Sequence, residues 1–273
     1  MYPHLTTLMS QLPSDHIITI TGATLALRNG DVYYPFRQDS DFLYLTGLSV
    51  PGLVLTIWKQ SEQNPPSPLS QGGSETTETI LWREPITDLD RVWGSDKLTD
   101  EEMVRIAGIV DIRDIGGLEE YSKKKTEQNP PSPLRHNSLL EVQTQNLYQG
   151  GTESLNPETL KSIIHSLRLI KTPDEIEKIR KAIVVSQEAF AHIESILRPR
   201  MYEYEIDAEI ARIFRSHHLT EAYPSIVASG ANACVLHYTA HTRQLESGDL
   251  VLIDAGAEHM GYASDMTRTL VVG

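Results

Sequence analysis

The stretch that most constrains this chain is its last, DLVLIDAGAEHMGYASDMTRTLVVG, Asp249 to Gly273. Leu250 to Ile253 form an unbroken apolar run, the pattern of a strand buried on both faces, and Asp254 follows directly. If Glu258 to Gly261 form a four-residue loop, antiparallel pairing sets residue 257 against 262 and Asp254 against Asp265. Directly opposed side chains hold their β-carbons about 4.5–5.5 Å apart. Two carboxylates that close in a buried hairpin repel, unless they share a proton or a cation. The cation reading suits their chemistry, because one acid can bridge two metals about 3.5–4 Å apart. The plainer alternative is an Asp that caps a strand end and a second that falls at this spacing by chance. The pair alone leaves both open.

Upstream, the chain changes character once. HIITITGATLAL, DFLYLTGL, GLVLTIW and TILWRE are rich in β-branched and aromatic residues and bounded by Gly, Pro or Asp, so they read as strands. From about Asn156 the pattern turns helical. Thr172, Pro173 and Glu175 make a capping box for a long helix whose stripe is Ile176, Ile179, Ile183, Phe190, Ile193 and Leu197, with Pro199 ending it. A second helix over about 203–217 carries Ile206, Ile210, Ile213 and Phe214, and AYPSIVASG and ACVLHYT then read as strands. The 273 residues suffice for two domains, placed at 1–155 and 156–273. The octapeptide EQNPPSPL occurs at Glu62 to Leu69 and again at Glu127 to Leu134. Its prolines exclude helix and central strand, so insertions in surface loops are expected near 60–76 and 123–138. A proline-motif ligand is the functional alternative for these segments.

Charge and composition exclude several classes. With 24 Lys+Arg against 37 Asp+Glu the formal charge is −13, and SKKK at Ser122 to Lys125 is the largest basic cluster, so no nucleic-acid partner is expected. Cys234 is the single cysteine, which rules out an intrachain disulfide and suits a reducing compartment. No basic-then-apolar leader opens the sequence and no run of about 18 apolar residues occurs, so the expectation is a cytoplasmic protein with no membrane partner.

DLVLIDAGAEHMGYASDMTRTL resembles the first metal-ligand hairpin of the aminopeptidase P and prolidase group of pita-bread metallopeptidases, with Asp-Ala-Gly, Gly-Tyr, then Asp and Thr-Arg-Thr. YPSIVASGANACVLHYT is similar to the strand pair leading to that group's active-site histidine, RLIKTPDEIEKIRKA to the first helix of its catalytic domain, and YYPFRQDSDFLYLTGL to the N-terminal domain of aminopeptidase P. The fold class implied is α/β (α+β), with a creatinase-like N-terminal sheet domain followed by the first half of a pita-bread catalytic domain. The function implied is Xaa-Pro aminopeptidase activity, acting on peptides with proline at position two. The resemblance makes Asp254 and Asp265 metal ligands, with Asp265 bridging, and makes His237 a substrate-side proton donor or hydrogen-bond partner. Oxygen-rich ligation favours manganese, two ions in a complete site. Asp31 and Trp93 line up with residues that reach a neighbouring subunit's site, which implies a homo-oligomer; a turn Asp and a core Trp are the structural alternatives.

A complete site in that group has two Asp, one His and two Glu, and the resemblance puts the last three beyond Asp265. The sequence is therefore read as a fragment, as one half of an interrupted gene whose complementary C-terminal half is made separately, or as a shortened relic. Little activity is expected of it alone. The alternative function is a non-catalytic peptide-binding or oligomerisation remnant of the same fold. Metal-free creatinase chemistry is disfavoured, because it has no use for two opposed acids.

Overall fold

The structure, a computed structural model, describes residues 2–14, 16–61, 75–87, 98–128, 148–150 and 157–273. The chain divides into two compact units, Met1–Ile170 and Lys171–Gly273.

The first unit is built on a five-stranded sheet. Its strands are β1 (His16–Thr21), β4 (Val54–Ser61), β5 (Glu75–Arg83), β6 (Asp111–Asp114) and β7 (Tyr148–Gly150), in the order β6-β5-β4-β1-β7. All neighbours are antiparallel except β5 and β6. The parallel pair is joined through helix α3 (Asp100–Ala107), as a crossover requires. In β1 the period-two alternation buries His16, Ile18 and Ile20. Ile18 and Ile20 share a core with Leu5 and Leu8 of α1 (Pro3–Gln11), Phe42 and Leu45 of α2 (Ser40–Thr46), and Leu160 and Ile164 of α5 (Pro157–Leu169). A short hairpin, β2 (Leu27–Asn29) with β3 (Val32–Tyr33), carries Asp31 at its exposed turn.

Two expectations change here. DFLYLTGL is mainly helix rather than strand: Asp39 caps α2 by accepting from the amides of Asp41 and Phe42, and Gly47, at φ +70°, stops it. The second insertion begins later than expected, since helix α4 (Leu118–Gln128) takes up residues 123–128. The rest of that octapeptide copy, the whole of the first copy, and Trp93 lie outside the described residues. By compactness, α5 lies with the first unit, which ends at Ile170. Its apolar face fills the first core, and Arg168 donates to the buried carboxylate of Asp41.

The second unit packs two helices against small sheets. Thr172 caps the long helix α6 (Pro173–Ile196) in the expected capping box, Thr172 Oγ1 accepting from Glu175 N and Glu175 Oε2 from Thr172 N. The buried face of α6 is only partly the expected stripe. Phe190 and Ile193 are buried, but upstream the contact is made by Ala182, Ser186 and Ala189, while Ile176 is exposed. Small side chains there let the hairpin of β11 (Ala257–His259) and β12 (Tyr262–Ala263) approach the helix, and Ser186 Oγ bonds Ser264 Oγ at 2.8 Å. Helix α7 (Glu203–Ser216) buries Ile206, Ile210, Ile213 and Phe214 as expected. The sheet behind it runs β13-β10-β9, with β9 (Ile226–Ser229), β10 (Leu250–Ala255) and β13 (Met266–Val271) antiparallel throughout. Strand β10 is covered on one face, not two. Val251, Ile253 and Ala255 are buried, whereas Leu250 is exposed and Leu252 and Asp254 are half-buried.

Candidate metal and peptide site

The hairpin that carries the two acids closes in a two-residue turn. Met260 (φ +52°) and Gly261 (φ +82°) both lie in the left-handed region, as the tight hairpin turns that match strand twist require. His259 therefore pairs with Tyr262, and further out Asp254 pairs with Thr267 rather than with Asp265. The shift from the expected register is two residues. Because side chains alternate with period two, a slip of two keeps both acids on the same face and sets them diagonally instead of directly opposite.

A tyrosine joins them. Tyr223 OH lies 2.6 Å from Asp254 Oδ1 and 3.0 Å from Asp265 Oδ1, and Thr267 Oγ1 donates to Asp254 Oδ2 at 2.9 Å. The phenol owes its place to backbone pairing: β8 (Thr220–Glu221) runs beside β11, and Ala222 N donates to Gly256 O at 2.8 Å, delivering the next residue to the acids. Burial first, and then the two carboxylates, push the Tyr223 hydroxyl well above the ordinary tyrosine range. It stays protonated at neutral pH, so one donor serves two acids.

Tyr223, Asp254 and Asp265 line an open cleft of about 420 Å³, together with Pro224, Ile226, His237 and Thr239. His237 is exposed and adopts a left-handed backbone at φ +54°. That geometry excludes the strand expected for ACVLHYT. After β9 the chain instead makes a 3₁₀ turn over Gly230–Cys234 and an irregular loop, leaving Leu236 91% exposed. The structure thus brings three of the five expected residues, Asp254, Asp265 and His237, to one cleft in the second unit. Asp31 lies in the first unit. His241 is buried, with Nε2 accepting from Val227 N at 3.3 Å and Nδ1 facing Asp207.

The donor set fits a divalent cation in part. Two carboxylates converging on one phenol oxygen are hard oxygen donors of the kind that manganese and magnesium take. Among the described residues no cluster of three or more His, Cys, Asp or Glu side chains surrounds a common point, and the cleft offers two carboxylates, Asp254 and Asp265. Sequence reasoning missed Tyr223. A Tyr-Pro step ahead of a strand carries no chemical signal until β8 is known to pair with β11.

Two stretches of the chain match known protein families. Residues 177–273 match the model of metallopeptidase family M24, whose members use divalent metal, and residues 4–132 match that of the aminopeptidase P N-terminal domain. The two matches, in this order, are those of an aminopeptidase P family member that spans part of the full-length enzyme. The chain belongs to the aminopeptidase P family. It is 31% identical to Xaa-Pro aminopeptidase of Escherichia coli over 97% of its own length and 60% of that protein's. With Xaa-Pro aminopeptidase of Haemophilus influenzae it shares 33% identity over 90% of this chain and 54% of the relative. The structure of E. coli aminopeptidase P with the inhibitor Pro-Leu superposes with a TM-score of 0.77 at 25% identity, covering 99% of this chain and 61% of that one. The chain thus spans about 60% of the length of the E. coli relative. Among the described residues, no helix is long and apolar enough to cross a membrane.

Proposed function

We propose that the chain supplies the N-terminal domain and the first part of the catalytic domain of a manganese-dependent Xaa-Pro aminopeptidase, a cytoplasmic enzyme that removes the N-terminal residue of a peptide when proline follows it. The observation that supports this best is the convergence of Asp254 and Asp265 on Tyr223 OH, in the wall of a cleft that His237 also lines. Asp254 and Asp265 would hold the cations, which when bound supply Lewis acidity and lower the pKa of water. Tyr223 and Thr267 fix the carboxylates in place. His237, at the open side, exchanges a proton or hydrogen bond with the peptide. Asp31 and Trp93 serve as substrate-side groups reaching a second subunit's cleft, which makes the working form a homo-oligomer. With two carboxylates, the chain works with a complementary C-terminal segment and hydrolyses little on its own. The absence of a third ligand among the described residues favours one other reading, a non-catalytic peptide-binding or oligomerisation remnant.

The test is thermal unfolding of the purified chain with manganese, alongside hydrolysis of an Xaa-Pro peptide. Manganese at a hundred times its dissociation constant stabilises the fold by about 2.7 kcal/mol, and Asp265→Ala abolishes the gain. No manganese effect would sink the metal reading. Hydrolysis by this chain alone, lost in Asp265→Ala, overturns the need for a further segment. Tight binding of proline peptides without metal establishes the remnant instead.

A further inference from the structure

Glu203, the first residue of α7, is fully buried, yet nothing in the proposed chemistry uses it. Its carboxylate gathers donors from both ends of the loop that carries His237. Ser229 N and Ser229 Oγ reach Oε1, each at 2.7 Å. Tyr238 OH and Arg243 N reach Oε2 at 2.8 and 3.0 Å, and Asn232 Nδ2 approaches both oxygens at 3.2 and 3.4 Å. The helix end adds a second hold on the same loop, because Glu203 N donates to Arg243 O and Tyr204 N to His241 O. Buried carboxylates are costly unless their lone pairs are filled, and this one is filled by segments that lie on both sides of His237. His237 and His241 hold left-handed backbones, a state that persists in residues with a β-carbon only where the surroundings over-determine it.

We infer that Glu203 is a positioning residue. By clamping Ser229 and Asn232 before it and Tyr238 and Arg243 after it, Glu203 sets the His237 imidazole at the mouth of the cleft. The inference rests on the reading of His237 as the substrate-side group. It concerns how that group is held, and leaves unchanged which residues touch peptide or metal.

The experiment is NMR of the 273-residue chain with labelled histidine, His237→Ala assigning the resonance, combined with amide hydrogen exchange. In Glu203→Gln the side chain keeps its shape but turns one acceptor into a donor. The Arg243 amide should exchange at least tenfold faster and the His237 resonance should move, while Val251 and Ile253 in the central strand keep their protection. Tyr238→Phe removes the hydroxyl that donates to Glu203 and accepts from Asn232 Nδ2 and Thr242 N, and leaves the Ser229 bonds to Glu203 in place; it should shift His237 and leave the Ser229 amide slow. An unmoved His237 resonance in both variants overturns the inference, and so does loss of protection at Val251 and Ile253 in both, which makes Glu203 merely structural. Added manganese separates the two proposals, since a paramagnetic ion at Asp254 and Asp265 broadens His237. Without broadening, the metal reading fails while the clamp is judged on the variants alone.

Discussion

A β-carbon added to Gly256 would stand 1.9 Å from the carbonyl oxygen of Ser264 and 3.0 Å from the Tyr223 ring. The glycine of the Asp-Ala-Gly triplet is therefore there for space. It lets the two strands of the acidic hairpin close up between Asp254 and Asp265, and it leaves room for the phenol that touches both.

Gly256→Ala should cost about 1–3 kcal/mol, the usual range for overpacking a close contact, since the obstacle is backbone that cannot swing aside. Because relief requires moving Ser264, and with it Asp265, the variant should also lose the stabilisation by manganese. Urea unfolding with and without the metal reads both effects. An unchanged midpoint would show that the hairpin does not need this approach.

Acid should loosen the second unit around Glu203. Burial alone would raise this carboxyl, but the bonds from Ser229, Arg243 and Tyr238 outweigh it and hold it below its ordinary value of 4.5. Asp249 is lowered as well, by the Arg243 guanidinium and then by Glu246 N. A carboxyl depressed in the folded state contributes stability that is present above its unfolded pKa and is lost as pH falls through the folded one. The contribution of these two carboxyls should thus be level above about pH 5 and fall as pH drops below 4.5, and the fall should be less steep in Glu203→Gln, which has no proton to take up at that position. Equal slopes for the two proteins between pH 5 and 3 would contradict this.

The site was more legible in the sequence than the geometry that builds it. Asp254, Asp265 and His237 could be picked out because their residue types carry chemistry and their neighbours carry a resemblance. The register could not, since it depends on whether Met260 accepts a left-handed backbone, which no apolar pattern encodes. The error was harmless to the acids for a physical reason, the period-two alternation of a strand. The DFLYLTGL segment was misjudged because its aromatic content outweighed the Asp39 cap and the Gly47 stop, which are the stronger local signals. Tyr223 and Glu203 were invisible for another reason: both act through partners distant in sequence.

The division of the chain offers the last test, because the reading that ends the first domain at 155 and the contact boundary at Ile170 differ by one helix. Helix α5 puts Leu160 and Ile164, both almost fully buried, into the core made by Leu5, Leu8 and Phe42. Its end is tied down by polar contacts, Arg168 to Asp41 and Tyr44 OH to Leu167 O at 3.1 Å. Burying two such side chains is worth about 1.5–3 kcal/mol each, and a buried carboxylate that loses a charged partner costs about 1–3 kcal/mol more. Against a total stability of about 5–15 kcal/mol for an ordinary domain, that is a large share. A chain cut after residue 170 should therefore unfold cooperatively by circular dichroism, whereas one cut after 155 should melt far lower or not fold. Equal melting of the two would return α5 to the second domain.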